Sequence, residues 1–428
     1  MRKLPAWGPL GVLLFAAGLW ALAADVEGWN AVWYLPAWYG YLLFLDALIF
    51  RLQGQSYLAG RRGELLAMLL VSAPFWFLFE AYNLRLQNWY YVFGLRTEWL
   101  SAIVSVFAFS TVLPACLFHA ELVKALGWGR GTRLRPIRVT GAVERFCIVM
   151  GVISIAAPLL WPRYAFGLVW GALFWLPELI NRRAGAPSIL ADLEAGRAER
   201  LLQLLIGGLW AGAIWETFNF WARCKWIYTV PGFEDWKLFE MPLAGFLGFP
   251  VLALSAFACF SAVTHFLSGR PRAPLRNVAI VGAVIFSGVT FHAMFDRTVA
   301  SRRPLLSELS GMDPPTIAAL REAGIPTPER LERVVRREGL ASVARRTGVA
   351  AEELSRAHQH AALALHKGMG TDAAARLMRA GVATVSDLSR EDPEALSRRS
   401  GAAGEEPLRP SLVRIWVRAA RLSEEPRR

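Results

Sequence analysis

Two short stretches decide how this chain is read: Phe79-Glu80-Ala81-Tyr82-Asn83 and Trp215-Glu216-Thr217-Phe218-Asn219. Each sits near the end of an apolar run long enough to cross a bilayer. Each is followed by an aromatic pair, Trp89/Tyr91 and Trp226/Tyr228. A carboxylate in a membrane helix costs about 3 kcal/mol even on mild scales. That cost, met twice in the same local sequence, predicts a duplicated membrane domain with a polar site between its halves.

Outward from these stretches the chain divides sharply. Of its 428 residues 55% are hydrophobic, and the mean hydropathy is +0.34. Seventeen of the 18 Trp precede residue 237, and only Trp416 comes later. Residues 1–300 read as a polytopic membrane domain and 301–428 as a soluble helical tail. A span needs about 20 apolar residues. Nine candidates fit: 7–25, 31–50, 65–82, 98–118, 146–161, 164–181, 201–220, 241–267 and 277–296. The first follows Arg2 and Lys3 and has Ala21-Leu22-Ala23 near its end, as a signal peptide would; the many spans behind it favour an uncleaved helix. The fold class is all-α: a membrane helix bundle plus a small soluble helical domain.

The first eight spans fall into two sets of four, about 1–122 and 146–267. Trp38 precedes Asp46 by the same eight residues that separate Trp170 from Glu178. Each acid is followed by Arg (Arg51; Arg182 and Arg183), then Ser-Tyr-Leu or Ser-Ile-Leu, then a basic turn. Copies of four helices keep the same orientation, so the repeat is parallel. The alternative is likeness of composition alone.

Lys and Arg total 16 in loops 2–3, 4–5, 6–7 and 8–9, against 6 in the opposite loops. The positive-inside rule then puts the N-terminus in the cytoplasm of a plasma membrane of bacterial type. Nine spans put the tail on the exterior. The net charge of +13 follows from this loop bias and does not require nucleic acid. The four cysteines show no CxxC or Cys/His metal spacing, so neither a disulfide framework nor a metal is expected, and no cofactor is.

On these helices Asn83 and Asn219 share a face with Glu80 and Glu216. The ninth span adds His292 and Asp296, an i,i+4 pair near the same end. A buried carboxylate can hold a proton for general acid catalysis. Glu80, Glu216, His292 and Asp296 are the candidate catalytic groups. Asn83, Asn219, Trp89, Tyr91, Trp226 and Tyr228 are the candidate substrate contacts. The competing reading makes the Glu/Asn pairs interhelical hydrogen-bonding groups. Asp46 and Glu178, near cytoplasmic helix ends, read as solvated, and His119 and His265 as interfacial.

Trp215-Glu216, Trp226-Ile227-Tyr228, Pro242-Leu243 and Phe246-Leu247-Gly248-Phe249 resemble the lycopene cyclase membrane domain. That family has Trp-Asp, Trp-x-aromatic and Pro-Leu-Glu-Glu in this order. The resemblance implies a tandem helical fold, an isoprenoid substrate and an acid role for Glu216. Ala244-Gly245 stands where the family has its paired glutamates. Three functions stay open: a membrane enzyme acting on an isoprenoid or other lipid, a proton- or cation-coupled transporter, and a non-catalytic scaffold displaying the tail.

The tail has its own repeat, with an offset of 57. Gly311-Met312-Asp313 recurs as Gly368-Met369-Gly370, and Ala323-Gly324-Ile325 as Ala380-Gly381-Val382. It resembles helix-hairpin-helix repeats, such as those of the bacterial domain DUF4332. A hairpin turn through Gly368 and Gly370 can present N–H groups to phosphate. Asp313 would repel phosphate at the matching turn, and the tail has only 22 basic against 17 acidic residues. A protein partner is therefore expected ahead of nucleic acid.

Overall fold

A computed structural model describes residues 2–24, 32–232, 236–268, 273–401 and 405–424. The loop 269–272, whose Arg270 and Arg272 enter the orientation count, lies outside them. Helices dominate. The apolar part contains α1 (Trp7–Ala23), α2 (Tyr34–Gln53), α3 (Tyr57–Gly60), α4 (Arg62–Leu86), α5 (Glu98–Phe109), α6 (Val112–Ala125), α7 (Gly141–Leu160), α8 (Pro162–Ala165), α9 (Trp175–Ala184), α10 (Ile189–Glu194), α11 (Glu199–Trp221), α12 (Gly248–Ser268) and α13 (Ala273–Arg297). The tail contains α14 (Pro314–Glu322), α15 (Pro328–Glu338), α16 (Leu340–Thr347), α17 (Ala351–Leu365), α18 (Thr371–Arg379), α19 (Val385–Ser389), α20 (Pro393–Arg399) and α21 (Pro410–Glu424).

Among the described residues, seven helical segments are long and apolar enough to cross a membrane: α2, α4, α5–α6 in tandem, α7, α11, α12 with its preceding turn, and α13. Two of the nine expected spans are shorter. At 17 residues, α1 is about 26 Å long at 1.5 Å per residue, somewhat less than a hydrocarbon core. Residues 164–181 do not form one helix. They form the end of α8, which Pro162 opens, then a 3-10 turn (Phe166–Gly171) and α9, whose first turn contains Pro177.

The chain forms two compact units. The membrane unit comprises 1–88, 97–222 and 230–298. Within it α1 lies antiparallel on α2 over its whole length. Gly8 meets Ala47, Gly11 meets the Gly40 backbone and Gly18 meets Ala37, so close that a Cβ at Gly11 would fall 2.6 Å from the Gly40 oxygen. Small residues give this approach, as is usual between membrane helices. Likewise α11 crosses α6 at Gly207, where a Cβ would meet the Ala120 nitrogen at 2.5 Å.

The internal match extends to hydrogen bonds. Asp46 accepts from Ser56 Oγ at 2.8 Å, Tyr57 N at 2.9 Å, Leu58 N at 3.3 Å and Trp7 Nε1 at 3.1 Å. Glu178 accepts from Ser188 Oγ at 2.5 Å and Leu190 N at 2.8 Å. Ser56 and Ser188 in turn cap α3 and α10, accepting from Ala59 N and Ala191 N. These two acids are buried, which corrects the expectation of solvated positions. Each accepts from the first N–H groups of a short helix; both oxygens of Asp46 are engaged, while Glu178 Oε2 is buried with no hydrogen-bond partner among the described residues. The aromatic contacts are exchanged between halves. Trp38 stacks on Trp215 (5.6 Å, 12°), and its counterpart Trp170 stacks on Phe79 (5.3 Å, 23°).

The tail unit contains more than the tail. It comprises 89–96, 223–229 and 299–428. Strands β1 (Trp89–Val92) and β2 (Lys225–Tyr228) pair antiparallel with Trp89 opposite Tyr228, Tyr90 opposite Ile227 and Tyr91 opposite Trp226. The two aromatic motifs thus meet head to tail, related by a two-fold through Tyr90 and Ile227. Tyr90, Val92 and Ile227 belong to the same buried cluster as Leu363, Met369, Leu377, Leu388, Leu412 and Trp416. Beyond β2 the chain makes a small hairpin, β3 (Lys237–Leu238) with β4 (Met241–Pro242), within the membrane unit.

Both 57-residue units use the same contacts. Leu320, Ile325 and Leu331, and their counterparts Leu377, Val382 and Leu388, are all fully buried. Thr327 and Thr384 cap α15 and α19. Helix α17 is the shared spine, with Ala357 and Ala361 in one cluster and Leu363 and Ala364 in the other. Between them His360 Nδ1 accepts from Ser310 N at 3.0 Å, which leaves the proton on Nε2 to donate to Thr371 O at 2.8 Å.

Candidate functional site

Both signature glutamates point into the membrane unit, and neither has any solvent exposure. Glu80 on α4 accepts from Trp76 Nε1, one turn earlier, at 2.9 Å. On α11, Glu216 lies beside Tyr34, whose hydroxyl is within hydrogen-bonding reach of the Trp215 and Thr111 side chains. The aromatic neighbours of these two partners form two ring clusters, Tyr34, Trp38, Trp215 and Phe218 in one, and Trp76, Phe79 and Trp170 in the other. Asn83 and Asn219 are also fully buried. Asn83 Oδ1 accepts from Asn88 N at 2.9 Å and so closes the turn after α4.

The other sequence candidates are elsewhere. His292 and Asp296 lie on an outward face of α13, with side chains 68% and 61% exposed. His292 bonds Glu98 at 2.8 Å and does not join the two buried acids. Trp89, Tyr91, Trp226 and Tyr228 lie in β1 and β2 and belong to the tail unit. His119, expected at an interface, is fully buried. Its ring bonds Ala115 O at 2.7 Å and the Tyr41 hydroxyl at 2.8 Å. His265 is exposed.

The hairpin glycines are committed to packing. Gly368 (φ +70°) sits where a Cβ would fall 2.4 Å from Val92, and Gly370 (φ +81°) where one would fall 2.6 Å from Ser301. Gly368 O accepts from Ser301 Oγ at 2.7 Å. The turn faces β1 and the 299–301 segment, not solvent. At the matching turn Asp313 caps α14 by accepting from Thr316 N at 2.8 Å, and this hydrogen bonding holds its carboxyl below the usual range.

A cavity of about 710 Å³ opens at the other end of the membrane unit from the C-terminal ends of α4 and α11. It is framed by the starts of α4 and α11 and the ends of α6 and α12. Arg61, Lys124, Arg197 and Arg200 line it, with Glu64, Glu121, Asp192 and Glu199. Arg61 binds Glu64 through Nε at 2.7 Å and Nη2 at 2.5 Å. Glu121 accepts from Lys124 at 3.0 Å and Gln53 at 2.8 Å. Asp192 accepts from Arg197 at 2.7 Å, with Arg200 3.2 Å away. Glu199 accepts from the Gly131 amide. The Arg61 guanidinium lies 4.2 Å from the Tyr57 ring centre, and that of Arg200 5.1 Å from Phe257. Sequence reading used these basic residues only as orientation charges. The signal that marks Arg61, Arg197 and Arg200 is the basic turn that follows Ser56-Tyr57-Leu58 and Ser188-Ile189-Leu190; nothing comparable marks Lys124.

Residues 310–421 match the family described as Domain of unknown function (DUF4332). This covers most of the tail, from the first hairpin turn to α21. No curated protein and no solved structure matches the chain. The resemblance of the apolar part to lycopene cyclases finds no support in these comparisons. Among the described residues, no cluster of three or more His, Cys, Asp or Glu could hold a metal ion.

Proposed function

We propose that the protein is a membrane scaffold that carries a DUF4332 module for contact with another protein. The observation that carries this reading is the composition of the tail unit. A displayed domain needs one covalent link. This one has five, at 88/89, 96/97, 222/223, 229/230 and 298/299, and two strands from membrane loops supply part of its core. The burial of the hairpin glycines favours a protein partner over nucleic acid. The burial of two matched carboxylates favours a second reading, acid–base chemistry on a lipid or isoprenoid.

Deletion of the gene, complemented with variants, separates the two. A chain carrying both Glu80→Gln and Glu216→Gln should return the deletion strain to the wild-type phenotype, and a chain ending at 300 should not. Lipid extracts should be unchanged by the deletion. A lipid that accumulates in the deletion strain and is consumed only when Glu216 is intact would make the protein an enzyme.

The topology that fits has nine crossings, with the N-terminus cytoplasmic and the tail unit exterior. Because β1 and β2 pair, the chain between them must cross an even number of times. The three long segments α5–α6, α7 and α11 make an odd number, so 164–181 crosses too. Helix α1 follows α2 along its length and crosses with it. A membrane-impermeant maleimide should label Ser423→Cys in intact cells, and Arg135→Cys only after lysis. The reverse pattern would overturn this topology.

A further inference from the structure

The charged cavity at the basic end of the membrane unit is balanced in formal charge but not in hydrogen-bonding capacity. Its four carboxylates are all engaged: Glu64 by Arg61, Glu121 by Lys124 and Gln53, Asp192 by Arg197, and Glu199 by the Gly131 amide. Glu121 and Asp192 lie deep, at 14% and 12% exposure. The cations are more exposed: Arg61 37%, Arg200 38%, Lys124 54% and Arg197 55%. A guanidinium has five N–H donors and no acceptor. Arg61 spends Nε and Nη2 on Glu64, and its Nη1 lies 3.9 Å from Glu121 Oε2 without a hydrogen bond; Arg197 spends Nε and Nη2 on Asp192 and keeps Nη1. Among the described residues the Arg200 side chain makes no hydrogen bond, and it is held by the charge of Asp192 and by the Phe257 ring. Every carboxylate of the cavity thus has at least one donor, and the cations keep N–H groups that no carboxylate uses.

We propose that this cavity binds an oxyanion of the phosphate type. Three guanidiniums and one ammonium match a group with more than two acceptor oxygens better than they match a single carboxylate. The two halves of the bundle each supply cations, Arg61 and Lys124 from the first, Arg197 and Arg200 from the second. The volume suits a small polar molecule or a head group, since ligand sites run from about 300 to 1,000 Å³. Tyr57, Phe257 and Phe260 give an apolar wall for the carbon part. Nothing here depends on the scaffold reading. The same chemistry is offered by soluble phosphate and by a lipid head group, and the test separates these sources.

Full-length protein in detergent is titrated in two arms, with inorganic phosphate and with short-chain phosphatidic acid, each against chloride at equal ionic strength. Binding is read as the shift of the unfolding midpoint by tryptophan fluorescence. At least one probe should give a saturable shift. Arg200→Gln should weaken it at least tenfold and Lys124→Gln several-fold, while Arg163→Gln, away from the cavity, leaves it unchanged. Lys124→Gln keeps the test open if Arg200→Gln fails to fold, because Lys124 is largely exposed. Saturation by phosphate alone assigns a soluble ligand, and by phosphatidic acid alone a lipid head group. If neither probe saturates, or if both cavity variants bind as the parent does, the proposal is wrong.

Discussion

Gly368→Ala should destabilise the tail unit by about 2–5 kcal/mol, whereas Gly381→Ala should cost only about 1–2 kcal/mol. Both glycines have positive φ, +70° and +92°. An alanine in that region costs about 1–2 kcal/mol through its Cβ alone. At Gly381 nothing lies within 4 Å of the new carbon, so that strain is the whole penalty. At Gly368 the new carbon falls 2.4 Å from Val92 Cβ and 2.5 Å from its Cγ2. Val92 is 1% exposed in a filled core and cannot retreat, which adds about 1–3 kcal/mol of overpacking. Denaturant unfolding, with hydrogen exchange at the β1 amides as the local readout, distinguishes the two. Equal costs would show that the turn, and not the approach of β1, is what requires glycine at 368.

Asp46→Ala should cost about 3–6 kcal/mol, and Glu178→Ala a similar amount. A buried donor left without its acceptor costs about 1–3 kcal/mol. Removing Asp46 strands Ser56 Oγ, the Tyr57 and Leu58 amides and Trp7 Nε1. The amides cannot turn elsewhere because they open α3, and Tyr57 is locked by stacking on Phe118 at 4.7 Å. Asp46→Asn should cost much less, since one carbonyl oxygen remains to accept. Unfolding midpoints in detergent give the comparison. An Asp46→Ala protein as stable as its parent would mean that water replaces the carboxylate and that the site is open.

These two acids also show where sequence reading stops. Their spacing from Trp38 and Trp170, and the Ser-x-Leu steps behind them, were visible as a repeat. Solvation was the expected state, because a polar residue near a helix end can reach water. Only the fold brings Ser56 and Ser188 back over them and seals them in. His119 is the same case, expected at an interface and found bonded to Tyr41 across the α2–α6 contact. The division at residue 300 followed composition, yet Tyr90, Val92 and Ile227 serve the tail's core. An aromatic strand looks the same in sequence whichever core it fills.

By itself the sequence determined the all-α class, the long apolar helices, the two glutamates in buried helices and the 57-residue tail repeat. Each rests on local periodicity or on a cost that any bilayer or core would impose. The tertiary structure alone decided the pairing of β1 with β2, their entry into the tail unit, the partners of Asp46 and Glu178, and the cavity lined by Arg61, Lys124, Arg197 and Arg200. Those four cations are up to 139 positions apart in the chain. Contacts over such separations depend on how helices pack, and no window of sequence contains both partners.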